Sequence, residues 1–161
     1  FTREGPALFT VQGKRYMITS GMTGYVPNRS DSAIADAWDV PFVSLGDPHE
    51  NDPSCASFNS QISKIFKVEG KQNLYIAMAD RWLPEHPVDA RLADLFTRVV
   101  GSRYEPEVYR ATEAECQEMY ETSLLETANT SLSEYVWLPV VVENGKPVIR
   151  WYDSWRLADF D

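Results

Sequence analysis

Glu4-Gly5-Pro6-Ala7-Leu8-Phe9-Thr10-Val11-Gln12-Gly13-Lys14-Arg15-Tyr16-Met17-Ile18-Thr19-Ser20 is the stretch from which the rest of the chain is read. Its two halves are rich in aromatic and β-branched residues, the types that fit a pleated surface. Gln12-Gly13 lies between them, so residues 7–20 are predicted to form a β-hairpin. Gly5 and Pro6 break the backbone directly after Glu4, which is therefore expected at the mouth of the first strand rather than inside it. A carboxylate fixed at the entrance of a rigid hairpin is a candidate acid. The plain alternative is a solvated surface charge.

The same pattern recurs. Residues 62–68 and 73–79 flank the turn Glu69-Gly70-Lys71. Residues 135–142 and 147–151 flank Glu143-Asn144-Gly145-Lys146, and Asn-Gly between apolar runs is the strongest short-range hairpin signal. A strand is expected over 32–37, and an outer edge over 39–43, where Pro41 is tolerated. The fold class is mainly β. Residues 84–129 follow another period. Asp89 can cap a helix through Leu92, Leu95, Phe96 and Val99. Thr112 and Glu115 make a capping box, after which Cys116, Met119, Tyr120 and Leu124 share a face. Two amphipathic helices, over 89–100 and 112–126, are expected to pack Leu92, Phe96, Met119 and Tyr120 inward. Trp155-Arg156-Leu157 is expected to end the fold.

The chain has 161 residues, enough for a real core. Its net charge of −9 argues against a nucleic-acid or anionic-membrane partner. Five Trp, eight Tyr and seven Phe make it aromatic-rich, as sugar-binding β-proteins often are. Cys55 and Cys116 lie far apart and form no metal or redox motif, so free thiols are expected. No apolar run reaches the roughly twenty residues that span a bilayer.

Four other stretches carry candidate chemistry. In Ser20-Gly21-Met22-Thr23-Gly24, two glycines flank Thr23 and would let backbone approach a ligand; a simple turn reads equally well. The loop over 46–57 holds Asp47, His49, Glu50 and Asp52, which suits either a cation or a solvated acidic surface. Asn59 and Gln61 are placed on one face at a strand entrance, where carboxamides can orient a sugar hydroxyl or water, or satisfy buried backbone. In Asp80-Arg81-Trp82, Arg81 can pair with Asp80 or a distant carboxylate. Trp82 offers a flat face to a sugar, or fills a core.

Taken in order, Glu4-Gly5-Pro6-Ala7, Ser20-Gly21-Met22-Thr23-Gly24-Tyr25, Phe58-Asn59-Ser60-Gln61, Met78-Ala79-Asp80-Arg81-Trp82 and Tyr135-Val136-Trp137-Leu138-Pro139 resemble the later blades of glycoside hydrolase family 43. The resemblance is closest to the branch of exo-β-1,3-galactanases and covers most of the chain outside 83–134. It implies a partial five-bladed β-propeller, about half of the blades, with a helical insertion at about 84–129. Residues 1–161 would then be the C-terminal part of a catalytic domain. Glu4 would be the general acid. Gln61 matches a glutamine that this branch uses opposite the acid. Thr23, Asn59, Asp80 and Trp82 would line the substrate site. Many other members of the family have a histidine near the position of Gln61, associated with a channel metal; the chain lacks it, so no metal and no cofactor is expected.

That reading makes the chain part of a glycosidase acting on galactose- or arabinose-containing polysaccharide. The general base would come from missing N-terminal propeller blades, leaving the isolated chain inert. Glu4, Asn59, Gln61 and Asp80 would converge at the inner strand ends. Unpaired flanks would make the isolated chain self-associate, as a homodimer. The alternatives are a non-catalytic carbohydrate-binding module, with Trp82 and Tyr25 as platforms, and an interaction domain using the helical insertion.

Overall fold

The computed structural model describes residues 2–161. Among the described residues eight strands form two four-stranded antiparallel meanders, and neither sheet closes on itself. The first sheet orders β1 (Arg3–Val11), β2 (Lys14–Gly21), β3 (Asp31–Ala35) and β4 (Val43–Gly46). The second orders β5 (Gln61–Lys67), β6 (Tyr75–Arg81), β7 (Glu134–Glu143) and β8 (Lys146–Ile149). The three expected hairpins are the antiparallel pairs β1–β2, β5–β6 and β7–β8.

Period-two alternation points Ala7, Phe9, Val11, Tyr16 and Ile18 from the first sheet at Ile62, Ile65, Tyr75, Ala77, Leu138 and Val140 from the second. Two tyrosine hydroxyls fix how the layers meet. Tyr75 Oη donates to the Thr10 carbonyl at 2.8 Å, and Tyr16 Oη to the Gly145 carbonyl at 3.1 Å.

Three local expectations need correction. Glu4 is the second residue of β1 and belongs to its ladder, so the strand starts before Gly5 and Pro6 rather than after them: Arg3 and Glu4 pair with Gly21 and Ser20, and the register shifts between Glu4 and Ala7. Gly5, at φ +59°, and Pro6 form a bulge that absorbs the break without ending the ladder. The outer edge is β4, which begins where the expected strand ended. Residues 37–40 turn instead, and Trp38 lies under the Arg15 guanidinium, 5.4 Å from carbon to ring centre. Asn59 precedes β5 and is not on it. Ser57, Phe58 and Asn59 all hold left-handed φ, so period-two geometry does not reach Asn59.

Asp52 organises that left-handed run. Its Oδ1 accepts from the Ser54 backbone N–H and hydroxyl, and its Oδ2 from the N–H groups of Ala56 and Phe58. Burial opposes ionisation of Asp52. The Ser54 hydroxyl and the three N–H groups outweigh it and hold the carboxyl below the ordinary range. A depressed carboxyl stabilises the fold above the unfolded carboxylate range and ceases to as pH falls through its folded value. Asp52→Asn is therefore expected to lower stability at neutral pH and to flatten its acid-side decline, measured by urea unfolding between pH 3 and pH 7.

Between β6 and β7 the chain forms α1 (Ala90–Tyr104), α2 (Glu113–Glu121) and the single turn α3 (Leu124–Thr127). Both expected caps are present: Asp89 accepts from the Leu92 N–H, and Thr112 and Glu115 complete a capping box. Leu95, Phe96, Val99 and Met119 are buried and Leu92 packs against them. Tyr120 faces out, 59% exposed, with its hydroxyl accepting from Arg103. One residue past Met119 turns about 100° around the helix, which carries Tyr120 off the buried stripe.

Helix α1 continues through Gly101. A methyl group built there would lie 2.7 Å from Tyr109 Cγ. Alanine normally favours a helix over glycine by about 1 kcal/mol. Gly101→Ala is nonetheless expected to lower the thermal midpoint, because the Tyr109 ring must move. Among the described residues no helix is long and apolar enough to cross a membrane.

Candidate functional site

The two sheets meet where β1 and β5 begin, and this brings Glu4 and Gln61 together. Gln61 Nε2 donates to Glu4 Oε1 at 3.1 Å and to Ser20 Oγ at 2.7 Å. Its Oε1 accepts from Trp82 Nε1 at 3.0 Å. Asp80 is the cross-strand neighbour of Gln61 in β6 and also pairs with Tyr135. Glu4, Gln61 and Asp80 thus lie at one end of the strand assembly.

The other candidates sit in the supporting loops. Thr23 is buried, and its hydroxyl donates to the Val26 carbonyl at 2.6 Å. Asn28 closes the same loop: its carboxamide accepts from the Gly21 N–H and donates to the Gly21 carbonyl and to Thr23 Oγ1. Asn59 clasps Val88, accepting from its N–H and donating to its carbonyl. Arg81 donates to the Phe58 carbonyl at 3.0 Å and lies over the Trp151 ring, contacts with a carbonyl and an indole rather than with a carboxylate. Ser20 and Asn28 were not singled out from sequence. A serine followed by a glycine and an asparagine after a proline both read as ordinary turn residues.

Trp82 joins two parts of the molecule. Its ring centre lies 5.6 Å from that of Tyr25, at 56°. It also packs against the cluster of Val26, Leu83, Val88, Leu95, Phe96, Val99 and Met119. Val26 comes from the Gly21–Asn28 loop, Leu83 and Val88 follow β6, and the rest come from α1 and α2. Helices and site loops therefore share one apolar cluster.

A cavity of about 550 Å³ lies elsewhere, lined by Arg3, Arg29, Asp31, Asp47, Arg91 and Asp94 among others. Arg3 neighbours Glu4 in β1, and adjacent strand residues point to opposite faces. Its guanidinium donates to the Thr19 hydroxyl and carbonyl and to the Arg29 carbonyl. Burial lowers its pKa and Asp31 opposes this.

The acids around His49 have local partners. Asp47 bonds His49 Nδ1 at 3.0 Å, Glu50 pairs with Arg150, and Asp52 holds backbone. Among the described residues no group of three or more His, Cys, Asp or Glu side chains is arranged to hold a metal ion.

No family model matches the chain, and no curated protein matches it by sequence. Solved structures share its fold. A glycoside hydrolase family 43 β-1,3-galactosidase superposes on 98% of this chain and 24% of its own, with a TM-score of 0.67 and 26% identity. A second family 43 β-1,3-galactosidase, solved with galactodeoxynojirimycin, covers 96% of this chain and 32% of its own, with a TM-score of 0.62 and 26% identity. An exo-β-1,3-galactanase from Clostridium thermocellum covers 94% and 24%, with a TM-score of 0.54 and 22% identity, and speaks for the fold alone. The resemblance to family 43 and its galactanase branch read from the motifs is borne out by these neighbours. The chain spans about a quarter to a third of their length.

Proposed function

We propose that this chain is part of a glycosidase acting on β-1,3-linked galactose, with Glu4 as its general acid. The observation that carries the reading is the Gln61–Glu4 hydrogen bond, at 3.1 Å, joining two motifs that are 57 positions apart in sequence. It stands in a fold shared with galactose-releasing enzymes. The two meanders are taken as about half of a five-bladed propeller. Residues 1–161 then form part of a catalytic domain, with the helical insertion at about 84–129.

In such an enzyme the acid protonates the departing sugar oxygen, while an ionised group across the bond activates water. Inverting pairs stand roughly 6.5 to 9.5 Å apart, which leaves room for that water. Gln61 is in direct contact with Glu4, so it serves beside the acid and not across the bond from it. The activating group comes from parts of the enzyme outside this chain. Thr23 and Asn59 act through the loops they hold, Asp80 borders the sugar, and Trp82 stands behind Gln61, to which its indole N–H donates.

The test is hydrolysis of β-1,3-galactotriose and of nitrophenyl β-galactoside by the whole protein. Release of galactose supports the reading, and binding without hydrolysis replaces it with a sugar-binding module. The second reading has its own observation: Tyr25, 43% exposed, stands beside Trp82 as a stacking surface.

The chain by itself is proposed to be inert and to self-associate. Leu8 and Val43 on one sheet and Tyr135 and Trp137 on the other are all roughly half exposed or more, and faces of this kind seek cover. Sedimentation of the purified chain is expected to give a dimer, and adding the remainder of the protein is expected to compete with it. A monomer at all concentrations would end this proposal.

A further inference from the structure

The orientation of Gln61 is not a free choice. Oxygen and nitrogen of a carboxamide look alike, and their assignment follows from their partners. An indole N–H can only donate. Trp82 Nε1, at 3.0 Å, must therefore face the oxygen of Gln61. The amide nitrogen is then committed to Glu4 Oε1 and Ser20 Oγ. The reverse orientation would set N–H against N–H at Trp82 and oxygen against oxygen at Glu4. Glu4 Oε1 is thus always an acceptor, and an acidic proton on Glu4 can sit only on Oε2.

We infer that Trp82 is a positioning residue that selects the oxygen of Glu4 that delivers the proton, through its indole N–H and the amide of Gln61. The inference rests on the reading of Glu4 as the acid. It also gives the helical insertion a task. The Trp82 ring packs on the cluster that contains Leu95, Phe96, Val99 and Met119, so the helices hold the indole at the angle its N–H requires. Tyr25 supports the same ring from the preceding loop. Leu125 of α3 reaches that loop as well: a methyl group built on Gly24, at φ +63°, would lie 3.0 Å from Leu125 Cδ2.

Trp82→Phe separates this role from sugar stacking, because it keeps an aromatic ring and removes the donor. Two measurements on the whole protein decide it. In the side-chain amide NMR spectrum, the two Gln61 protons are expected to exchange slowly in the wild type and to lose that protection in Trp82→Phe. In kinetics, Trp82→Phe is expected to lower kcat about tenfold for galactosides with poor leaving groups, the scale of one lost hydrogen bond. KM should be unchanged, and dinitrophenyl galactosides, which leave without a proton, should be turned over normally. In the background of Gln61→Met the same substitution should have no further leaving-group effect, because Trp82 acts through that amide.

A rise in KM with kcat intact would make Trp82 a sugar platform and overturn the inference. Retained amide protection in Trp82→Phe would overturn it too, whatever the kinetics. If the wild type shows the amide signature and hydrolyses no galactoside, the glycosidase reading fails and the positioning role fails with it, while the Trp82–Gln61 contact stands.

Discussion

Glu4→Gln in the whole protein is expected to cut hydrolysis of β-1,3-galactotriose by about 100- to 10,000-fold, the usual contribution of a positioned general acid. The substitution is nearly isosteric. Its amide can still present an oxygen to Gln61 Nε2, so the contact that joins the sheets survives. Thermal unfolding should therefore be unchanged, which separates lost chemistry from lost fold. Activated dinitrophenyl galactosides should lose far less, because their leaving group departs without a proton. Equal losses on both substrates would point to a binding role, and unchanged turnover would remove Glu4 from the mechanism.

Phe96→Ala should have the largest effect on stability. Phe96 is 1% exposed, at the centre of the cluster shared by helices and site loops. Truncating a buried phenylalanine costs about 3 to 5 kcal/mol, including the cavity left behind. The loss should appear as a lower urea midpoint and as faster exchange of the α1 amides. Because Trp82 packs on the same cluster, the slow Gln61 amide signals should weaken as well. Val108→Ala is the control: Val108 is 70% exposed and lies outside both apolar clusters. Similar losses for both would mean that the helices do not form a cooperative core.

The hairpins were legible because their signals are local. Asn144-Gly145 names its own turn, and alternation of apolar residues names the buried face of β1 and β2. Asp89, Thr112 and Glu115 announced the helix starts for the same reason. What escaped depends on partners distant in sequence. That Gln61 touches Glu4 follows from how two sheets dock. That Asn59 clasps Val88 follows from a left-handed turn at non-glycine residues, which Asp52 sustains from six positions away and which no propensity signals. Tyr120 was misplaced because a nine-residue helix offers too few turns to separate its buried stripe from its rim. The motifs drew attention to Trp82 as a flat surface, while the structure engages its N–H.

Strand β6 pairs along its full length with β7, from Tyr75 with Val140 to Arg81 with Glu134, and α1, α2 and α3 are strung between the two strands. This arrangement sets an order in time. The hairpins β1–β2 and β7–β8 close short loops and can form on their own within microseconds. The β6–β7 ladder must first close a much longer loop, with an entropic cost that grows with its length. If α1 and α2 dock first, they shorten the effective span. The helical segment would then act as a clasp that speeds completion of the second sheet, so Phe96→Ala should slow refolding as well as hasten unfolding. Until that ladder forms, β6 and β7 each keep an unpaired edge that another chain can occupy. Aggregation during refolding should therefore rise steeply in variants that weaken the helices, even where the finished molecules are soluble.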